Sequence, residues 1–414
     1  MTTPLPTIPS AFRRKRPMLV FISDIHLTDE LSAPPVPWAE TFHRFWTRIE
    51  GSRGEQPAKL CIIGDFIDIV RSPRWLRGPS RPYHEPSPEQ AAVVDQIVAA
   101  TIAREQAFFD AIRTQVARGS LQVHCLLGNH DRLLGNAPKA RQRLWRALTG
   151  EDRHVDFPPE IVFPEHDAVA FHGHTGDFIC STPDGSAPIS DMFGVELIVR
   201  FPEALSERLG ERLPHIDDID DVRPIYAVPA WIRQIGQGRK GLMRPVAETW
   251  SELVEEFLEN QAVRDWMRSQ RSIAGFNPGA RLQTLLNLST GRVMARASDK
   301  RLTRMFRVFQ QLFDGKFAQR AAEKLYDPEY RGLRYVLNGH SHFASMTPLG
   351  HIDGRPSCYF NSGTWRTVHQ IGTHAEGRPT FMPMHAMTYI VFFPDGDPMN
   401  RNFEWWTGAM VARG

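Results

Sequence analysis

Five short polar clusters stand directly after apolar runs, and their residue types could bind divalent cations. The clusters are Asp24-Ile25-His26, Gly64-Asp65-Phe66-Ile67-Asp68, Gly128-Asn129-His130-Asp131, His172-Gly173-His174 and Gly339-His340-Ser341-His342. Each cluster alone also fits a turn or a helix cap, but their joint occurrence in this order favours a metal site. Imidazoles, carboxylates and an amide suit Mn²⁺, Fe²⁺ or Zn²⁺. The clusters offer more ligands than one tetrahedral site needs, so they predict two metal ions.

The apolar runs before the clusters predict buried strands. These runs are Met18–Ile22, Lys59–Ile63, Leu121–Leu127, Ala168–Phe171 and Tyr335–Leu337. Helices are predicted over Trp38–Ile49 and Glu89–Arg118, so the alternation favours βαβ units. The carboxyl ends of parallel strands lie at one edge of a sheet, where distant clusters can meet. Asp24 and His26 are expected to reach a common ion from extended backbone, in which residues i and i+2 share a side.

The pattern changes between the fourth and fifth clusters. Residues 188–331 are predicted to form a helical insertion, with amphipathic stretches at Ala247–Met267 and Arg301–Tyr326. Its aromatic residues could line a substrate pocket, but helices of this length need a core of their own, and that interpretation is preferred. Residues 17–187 and 332–414 are predicted to form the core, and residues 1–16 a loose tail.

The composition is that of a globular protein. The chain has 414 residues, a formal net charge of +2 and 42% hydrophobic residues. This charge argues against a protein that wraps a polyanion. The sequence contains no apolar run of about 20 residues, so no transmembrane segment is predicted. Four scattered cysteines predict free thiols in a reducing compartment, and we expect a cytoplasmic protein.

Two charged segments each allow two interpretations. The acidic run Asp217–Asp221 is expected to be a solvated helix end or loop, with an additional cation site as the alternative. The loop after the second cluster carries arginines, which are either solvated or able to bind a distal phosphate. These arginines are Arg71, Arg74, Arg77 and Arg81.

In their residues and order, the five clusters resemble the motifs of the calcineurin-like metallophosphoesterases. The resemblance covers roughly residues 17–177 and 332–400 and does not extend to the insertion. It implies an α/β fold, a four-layer αββα sandwich in which two mixed sheets are flanked by helices. The insertion would then form a helical cap between the fourth and fifth clusters.

The same resemblance implies roles for individual residues. Two divalent ions are expected, with Mn²⁺ foremost and Fe²⁺, Zn²⁺ or a mixed pair as alternatives. One ion would be held by Asp24, His26, Asp65 and His342, and the second by Asp65, Asn129, His172 and His340. His130 would contact the scissile phosphate, and Asp131 would orient its imidazole. Asp68 would lie outside the ligand set, and Arg132 and His174 are candidate substrate contacts.

The implied reaction is phosphoester hydrolysis, in which a metal-bridging hydroxide attacks phosphorus. The substrate would be a small-molecule phosphomonoester, phosphodiester or diphosphate. The layout is also similar to the UDP-2,3-diacylglucosamine diphosphatases, although those enzymes have arginine where this chain has His130. A nuclease is disfavoured by the low net charge. A non-catalytic scaffold would lose ligands, and none is lost here. Peripheral membrane contact stays open, and the sequence predicts no oligomeric state.

Overall fold

Strands and helices alternate through the first half of the chain. The computed structural model describes residues 16–30, 38–182, 185–223, 225–270, 278–290, 317–373 and 379–410. The strands are β1 (Leu19–Ile22), β2 (Ala58–Ile63), β3 (Leu121–Leu126), β4 (Glu160–Phe163), β5 (Ala168–Phe171), β6 (Val222–Arg223), β7 (Tyr335–Asn338), β8 (Ser345–Ile352), β9 (Arg355–Asn361), β10 (Thr367–Thr373), β11 (Pro379–Phe392) and β12 (Phe403–Met410). The α-helices are α1 (Trp38–Glu50), α2 (Pro88–Arg104), α3 (Gln106–Ala117), α4 (Pro138–Thr149), α5 (Ile189–Phe193), α6 (Arg200–Leu209), α7 (Val228–Gly238), α8 (Met243–Glu259), α9 (Gln261–Ser269), α10 (Pro278–Leu288) and α11 (Phe317–Tyr326).

These strands form two mixed sheets. The first has the order β3-β2-β1-β11-β10-β6, with β12 paired to β11. Its strands β1, β2 and β3 are parallel, with Val20 opposite Leu60 and Leu60 opposite Val123. The second sheet has the order β4-β5-β7-β9-β8, and β5, β7 and β9 are parallel. The parallel strands of each sheet therefore deliver the residues that follow them to one edge.

Alternating side chains of β1 divide the core into two layers. Val20 and Ile22 pack with α1 to α4 on the outer face of the first sheet. Leu19 and Phe21 point to the opposite face, as the two-residue period of a strand requires, and meet the second sheet. Helix α11 covers the far face of the second sheet through Ala321 and Leu325. The layers are therefore helix, sheet, sheet and helix, and the predicted α/β sandwich is confirmed.

The region between β5 and β7 has its own hydrophobic core. Residues of α5 to α10 form one buried cluster that includes Phe201, Trp231 and Trp250. The preference for a structural role of these aromatic residues is thus confirmed. This region also adds β6 to the first sheet, parallel to β10, a strand that the sequence did not predict. The insertion is consequently joined to the core by backbone pairing.

Two predicted helices are interrupted. The single helix expected over Glu89–Arg118 is wrong, because Glu105 has φ −101° and ψ 27° and separates α2 from α3. The break lets α3 turn Phe108 and Phe109 into the core beside α1. The Ala247–Met267 stretch similarly divides at Asn260, whose side chain accepts a hydrogen bond from Ala262 N and begins α9.

Several expectations concern peripheral features. Residues 1–15 and 301–316 lie outside the described residues, so the loose tail and the first part of Arg301–Tyr326 stay predictions. The rest of that stretch contains α11, which packs on the second sheet although the predicted boundary assigns it to the insertion. All four cysteines are free thiols. Among the described helices, none has the length and apolar character needed to cross a bilayer.

Candidate metal centre

The seven predicted metal ligands converge at the carboxyl ends of strands from both sheets. The first and second clusters follow β1 and β2, and the third follows β3. The fourth and fifth follow β5 and β7, which lie side by side in the second sheet. Side chains separated by more than 300 positions thus face one another in a single buried region.

Four of these side chains could hold one metal ion. Asp24, His26, Asp65 and His342 each offer a ligand atom, and these atoms all lie within 4.8 Å of one another. His342 Nε2 is 3.0 Å from His26 Nε2 and 3.2 Å from an oxygen of Asp24. All four residues are buried. This is the first group that the sequence predicted.

The second predicted group forms around Asn129. Its side-chain oxygen lies 3.1 Å from His172 Nε2 and 3.0 Å from His340 Nδ1. His172 Nε2 is also 3.1 Å from Asp65 Oδ2. Asp65 therefore contacts members of both groups, as a bridging carboxylate would.

Three of the four imidazoles have their outward nitrogen held by an oxygen acceptor. His26 Nδ1 lies 3.2 Å from Asp68, His172 Nδ1 lies 2.7 Å from the Ile63 carbonyl, and His340 Nε2 lies 3.2 Å from Asp177. An acceptor at one ring nitrogen keeps a proton there, so the other nitrogen is the one that would release its proton and bind an ion. The three rings are therefore oriented as a metal site needs.

His342 differs from the other three rings. Its Nδ1 accepts a hydrogen bond of 3.1 Å from Arg223 Nε, because an arginine can only donate. A neutral ring that binds an ion through Nε2 carries its proton on Nδ1. Ion binding through Nε2 and this hydrogen bond therefore exclude each other, so loading the first group would require Arg223 or the His342 ring to shift.

The backbone at the ligands is strained. Asp24, His26, Asp65, His340 and His342 all have positive φ, between 51° and 70°. This region is unfavourable for residues with a Cβ and costs about 1–3 kcal/mol each. The expectation of extended backbone at Asp24 and His26 was therefore wrong, although the two side chains do meet. Strain concentrated at one cluster indicates selection for geometry over stability.

Two motif glycines make this close packing possible. A Cβ on Gly128 would collide with the Asp65 carboxylate, and a Cβ on Gly339 would collide with Asp24 and Ser23. These glycines let the third and fifth clusters approach the first and second.

The buried carboxylates strongly shift the neighbouring imidazoles. Burial opposes the protonated form of His172, but Asp65 and Asp24 outweigh it and raise its pKa to about 10. Burial likewise opposes protonation of His26, and hydrogen bonds with Asp24 and Asp68 raise its pKa to about 9. The region therefore favours positive charge among its carboxylates, which divalent cations would also supply.

The predicted orientation of His130 by Asp131 was wrong. His130 Nδ1 lies 2.7 Å from Asp68 Oδ1, so Asp68 holds the ring. Asp131 instead accepts backbone hydrogen bonds of 2.6 Å from Gly128 N and 2.9 Å from Phe66 N. Its two oxygens are thereby directed away from the imidazole and tie the second and third clusters together. Burial and the nearby Asp65 raise the pKa of Asp131 to about 7.

The two candidate substrate contacts, Arg132 and His174, have different neighbours. Arg132 pairs with Asp191 of α5 and donates a 3.1 Å hydrogen bond to the Pro82 carbonyl, so it links the core to the insertion. The His174 ring lies 5.4 Å from the His172 ring and 6.3 Å from the His340 ring. Its buried Nδ1 has no hydrogen-bond partner among the described residues.

The preferred interpretation of the acidic run was wrong. Asp218, Asp220 and Asp221 are buried, so the acidic run is not a solvated loop. Asp220 and Asp221 pair with Arg366, and Asp218 with His369. The four loop arginines are paired as well. Their partners are Asp220 for Arg71, Asp29 for Arg74, Glu30 for Arg77 and Glu196 for Arg81.

The donor set fits divalent cations of borderline or hard character, because it consists of imidazoles, carboxylates and one amide oxygen. Cys180, Asp177 and His340 form a further group of potential metal ligands. Burial raises the pKa of the Cys180 thiol well above the usual value, however, which disfavours the thiolate that binds metals.

The sequence analysis did not identify Asp177, Arg223 or Arg366. Asp177 lies three residues after the fourth cluster, Arg223 lies in a two-residue strand, and Arg366 follows β9. These residues belong to no repeated spacing, so only the folded chain brings them to the centre.

Comparison with known proteins agrees with the geometry. No curated protein matches the chain. The model of one family, described as calcineurin-like phosphoesterase, matches residues 18–228, just over half of the chain. This match spans the first four clusters and runs into the insertion. The chain therefore belongs to the calcineurin-like phosphoesterases, a family of metal-dependent phosphoester hydrolases.

Proposed function

We propose that this chain is a phosphoesterase that binds two divalent ions, Mn²⁺ foremost, and hydrolyses small-molecule phosphomonoesters, phosphodiesters or diphosphates. The observation that carries this proposal is the convergence of two ligand groups that share Asp65. One group is Asp24, His26, Asp65 and His342, and the other is Asp65, Asn129, His172 and His340. The acceptors behind three of the imidazoles add support.

When bound, two divalent cations neutralise phosphoryl charge and lower the pKa of water toward neutrality. The chain itself contributes the positioned imidazole of His130. With Nδ1 held by Asp68 at 2.7 Å, Nε2 is the nitrogen available to the substrate. In this proposal it donates a proton to the leaving oxygen, a role that typically accelerates a reaction by about 10²–10⁴-fold.

Substrate selection is assigned to the insertion, residues 188–331, acting as a cap over the centre. Support comes from Arg223, whose Nε lies 3.1 Å from His342 Nδ1. Further support comes from Asp191, which pairs with Arg132 beside the third cluster. Arg132 and His174 remain the proposed substrate contacts. A small substrate is favoured over nucleic acid because the net charge is only +2.

The test is an activity panel with Mn²⁺-loaded protein. The substrates are p-nitrophenyl phosphate, bis-p-nitrophenyl phosphate, nucleotides, a UDP-linked lipid and single-stranded DNA. Asp65→Asn serves as the matched inactive control, since Asn keeps the side chain's shape. Metal-dependent hydrolysis of a small phosphoester that is lost in Asp65→Asn supports the proposal. Activity confined to the diester removes the monoesterase interpretation, and cleavage of the DNA alone replaces the small-molecule proposal with a nuclease.

A further inference from the structure

A buried network of charges connects the insertion to the centre. We call it the Arg–Asp network, and it consists of Arg71, Arg366, Asp220, Asp221 and Asp68. Every one of these side chains is less than 10% exposed. Two members, Asp220 and Asp221, come from the turn Ile216–Asp221 of the insertion.

The network connects Asp220 and Asp221 of the insertion to Asp68 through two arginines. Asp220 is 2.5 Å from Arg71 Nη1 and 2.7 Å from Arg366 Nη2, so one carboxylate holds two guanidinium groups. Asp221 holds the Nε side of Arg366. Arg366 Nη1 lies 3.6 Å from Asp68 Oδ2, and the Arg71 backbone N–H donates to Asp68 Oδ1 at 3.2 Å.

Asp68 in turn holds two imidazoles of the centre. Its Oδ1 is 2.7 Å from His130 Nδ1, and its Oδ2 is 3.2 Å from His26 Nδ1. Asp68 is fully buried. The buried guanidinium group of Arg366 lies beside this carboxylate and places positive charge next to it in a region of low dielectric constant.

Stability alone is a poor explanation for such a network. Removing charges from water is energetically costly, and replacing buried ion pairs by apolar residues is often neutral or stabilising. Buried charges that are all connected to the Asp68 carboxylate instead indicate a requirement for fixed geometry at Asp68.

We propose that the turn Ile216–Asp221 positions His130 through the Arg–Asp network. This rests on the proposed function, in which His130 protonates the leaving oxygen. Asp220 and Asp221 are positioning residues, because they act through Arg71, Arg366 and Asp68 and touch no reacting atom. The insertion is therefore part of the machinery that sets turnover, in addition to any part it has in choosing a substrate.

The test compares Asp220→Asn with Asp217→Asn. Asp217 is a matched control because it lies in the same turn but pairs with the surface residue Arg212. Turnover is measured with p-nitrophenyl phosphate, whose leaving group needs little protonation, and with phenyl phosphate, whose leaving group needs more. We expect Asp220→Asn to lower kcat at least about 10-fold more with phenyl phosphate than with p-nitrophenyl phosphate. KM should change less than about 3-fold.

A general structural defect would lower turnover of both esters equally, so the leaving-group dependence isolates positioning of the proton donor. In a His130→Ala background, Asp220→Asn should have little additional effect on phenyl phosphate. If Asp220→Asn loses native circular dichroism, Arg71→Lys replaces it, since lysine keeps the charge but lacks the guanidinium group that contacts the Asp220 carboxylate and carbonyl.

Equal losses on the two esters, or behaviour matching Asp217→Asn, would overturn this inference while the proposed function stands. Wild-type protein that hydrolyses neither ester nor any other substrate of the panel would instead overturn the proposed function itself.

Discussion

Exchange of Asp68 for asparagine tests whether this motif carboxylate orients imidazoles of the centre or only stabilises the motif loops. Asp68 serves His130 at 2.7 Å and His26 at 3.2 Å, one imidazole on each oxygen. An asparagine has one acceptor oxygen and one NH₂ group, so one imidazole N–H would face a donor. The charge that favours both rings is lost as well. Because a positioned proton donor is worth about 10²–10⁴-fold, we expect kcat to fall about 10²–10³-fold.

The matched variant is Asp131→Asn, because both carboxylates are buried in the motif loops. Asp131 contacts the backbone N–H groups of Gly128 and Phe66, and loss of one such bond costs about 1–3 kcal/mol of stability. We expect a lower unfolding temperature with turnover within about 10-fold of wild type. The assays are steady-state kinetics with Mn²⁺, metal content, and thermal unfolding. Loss of turnover in Asp131→Asn at unchanged metal content, with Asp68→Asn near wild type, would refute this assignment.

Three further predictions concern the proposed metal ligands and the residues that hold them. Asp65→Asn should lower kcat by at least about 10³-fold with little change in unfolding temperature, because Asp65 contacts both ligand groups; wild-type turnover would contradict its bridging role. Asp177→Asn should weaken the second ion about 10–100-fold, since its carboxylate holds His340 Nε2; calorimetric titration showing two unchanged sites would contradict this. With pKa values raised to about 9 and 10, His26 and His172 hold protons at neutral pH that ions must displace, so Mn²⁺ affinity should rise with pH up to about 10. Calorimetric titration across this pH range measures the affinity, and an affinity that does not change with pH would contradict the prediction.

The scaffold could be predicted because its strands are apolar runs followed directly by polar clusters. β1, β2, β3, β5 and β7 all coincide with such runs. Strand β8 was missed because its residues Ser345–Ile352 are largely exposed and include Pro348 and Gly350, which weaken a strand pattern. The break at Glu105 was also missed, since apolar residues continue at helical spacing on both sides of it.

The convergence of the proposed ligands could be predicted from residue type and order, but the residues behind them could not. Asp177, Arg223 and Arg366 reach the centre through long-range packing that leaves no local spacing. The acidic turn was expected at the surface because buried carboxylates are rare unless paired. Its partners, Arg71 and Arg366, lie about 150 residues away on either side, so their pairing is visible only in the folded chain.

The most direct test of this account is a crystal structure of Mn²⁺-replete protein, with anomalous scattering used to locate the ions and elemental analysis to count them. The account predicts two ions per chain. One should be bound by Asp24, His26, Asp65 and His342, and the other by Asp65, Asn129, His172 and His340. A fully loaded protein with a single ion, or with these side chains turned away from the metal, would contradict it.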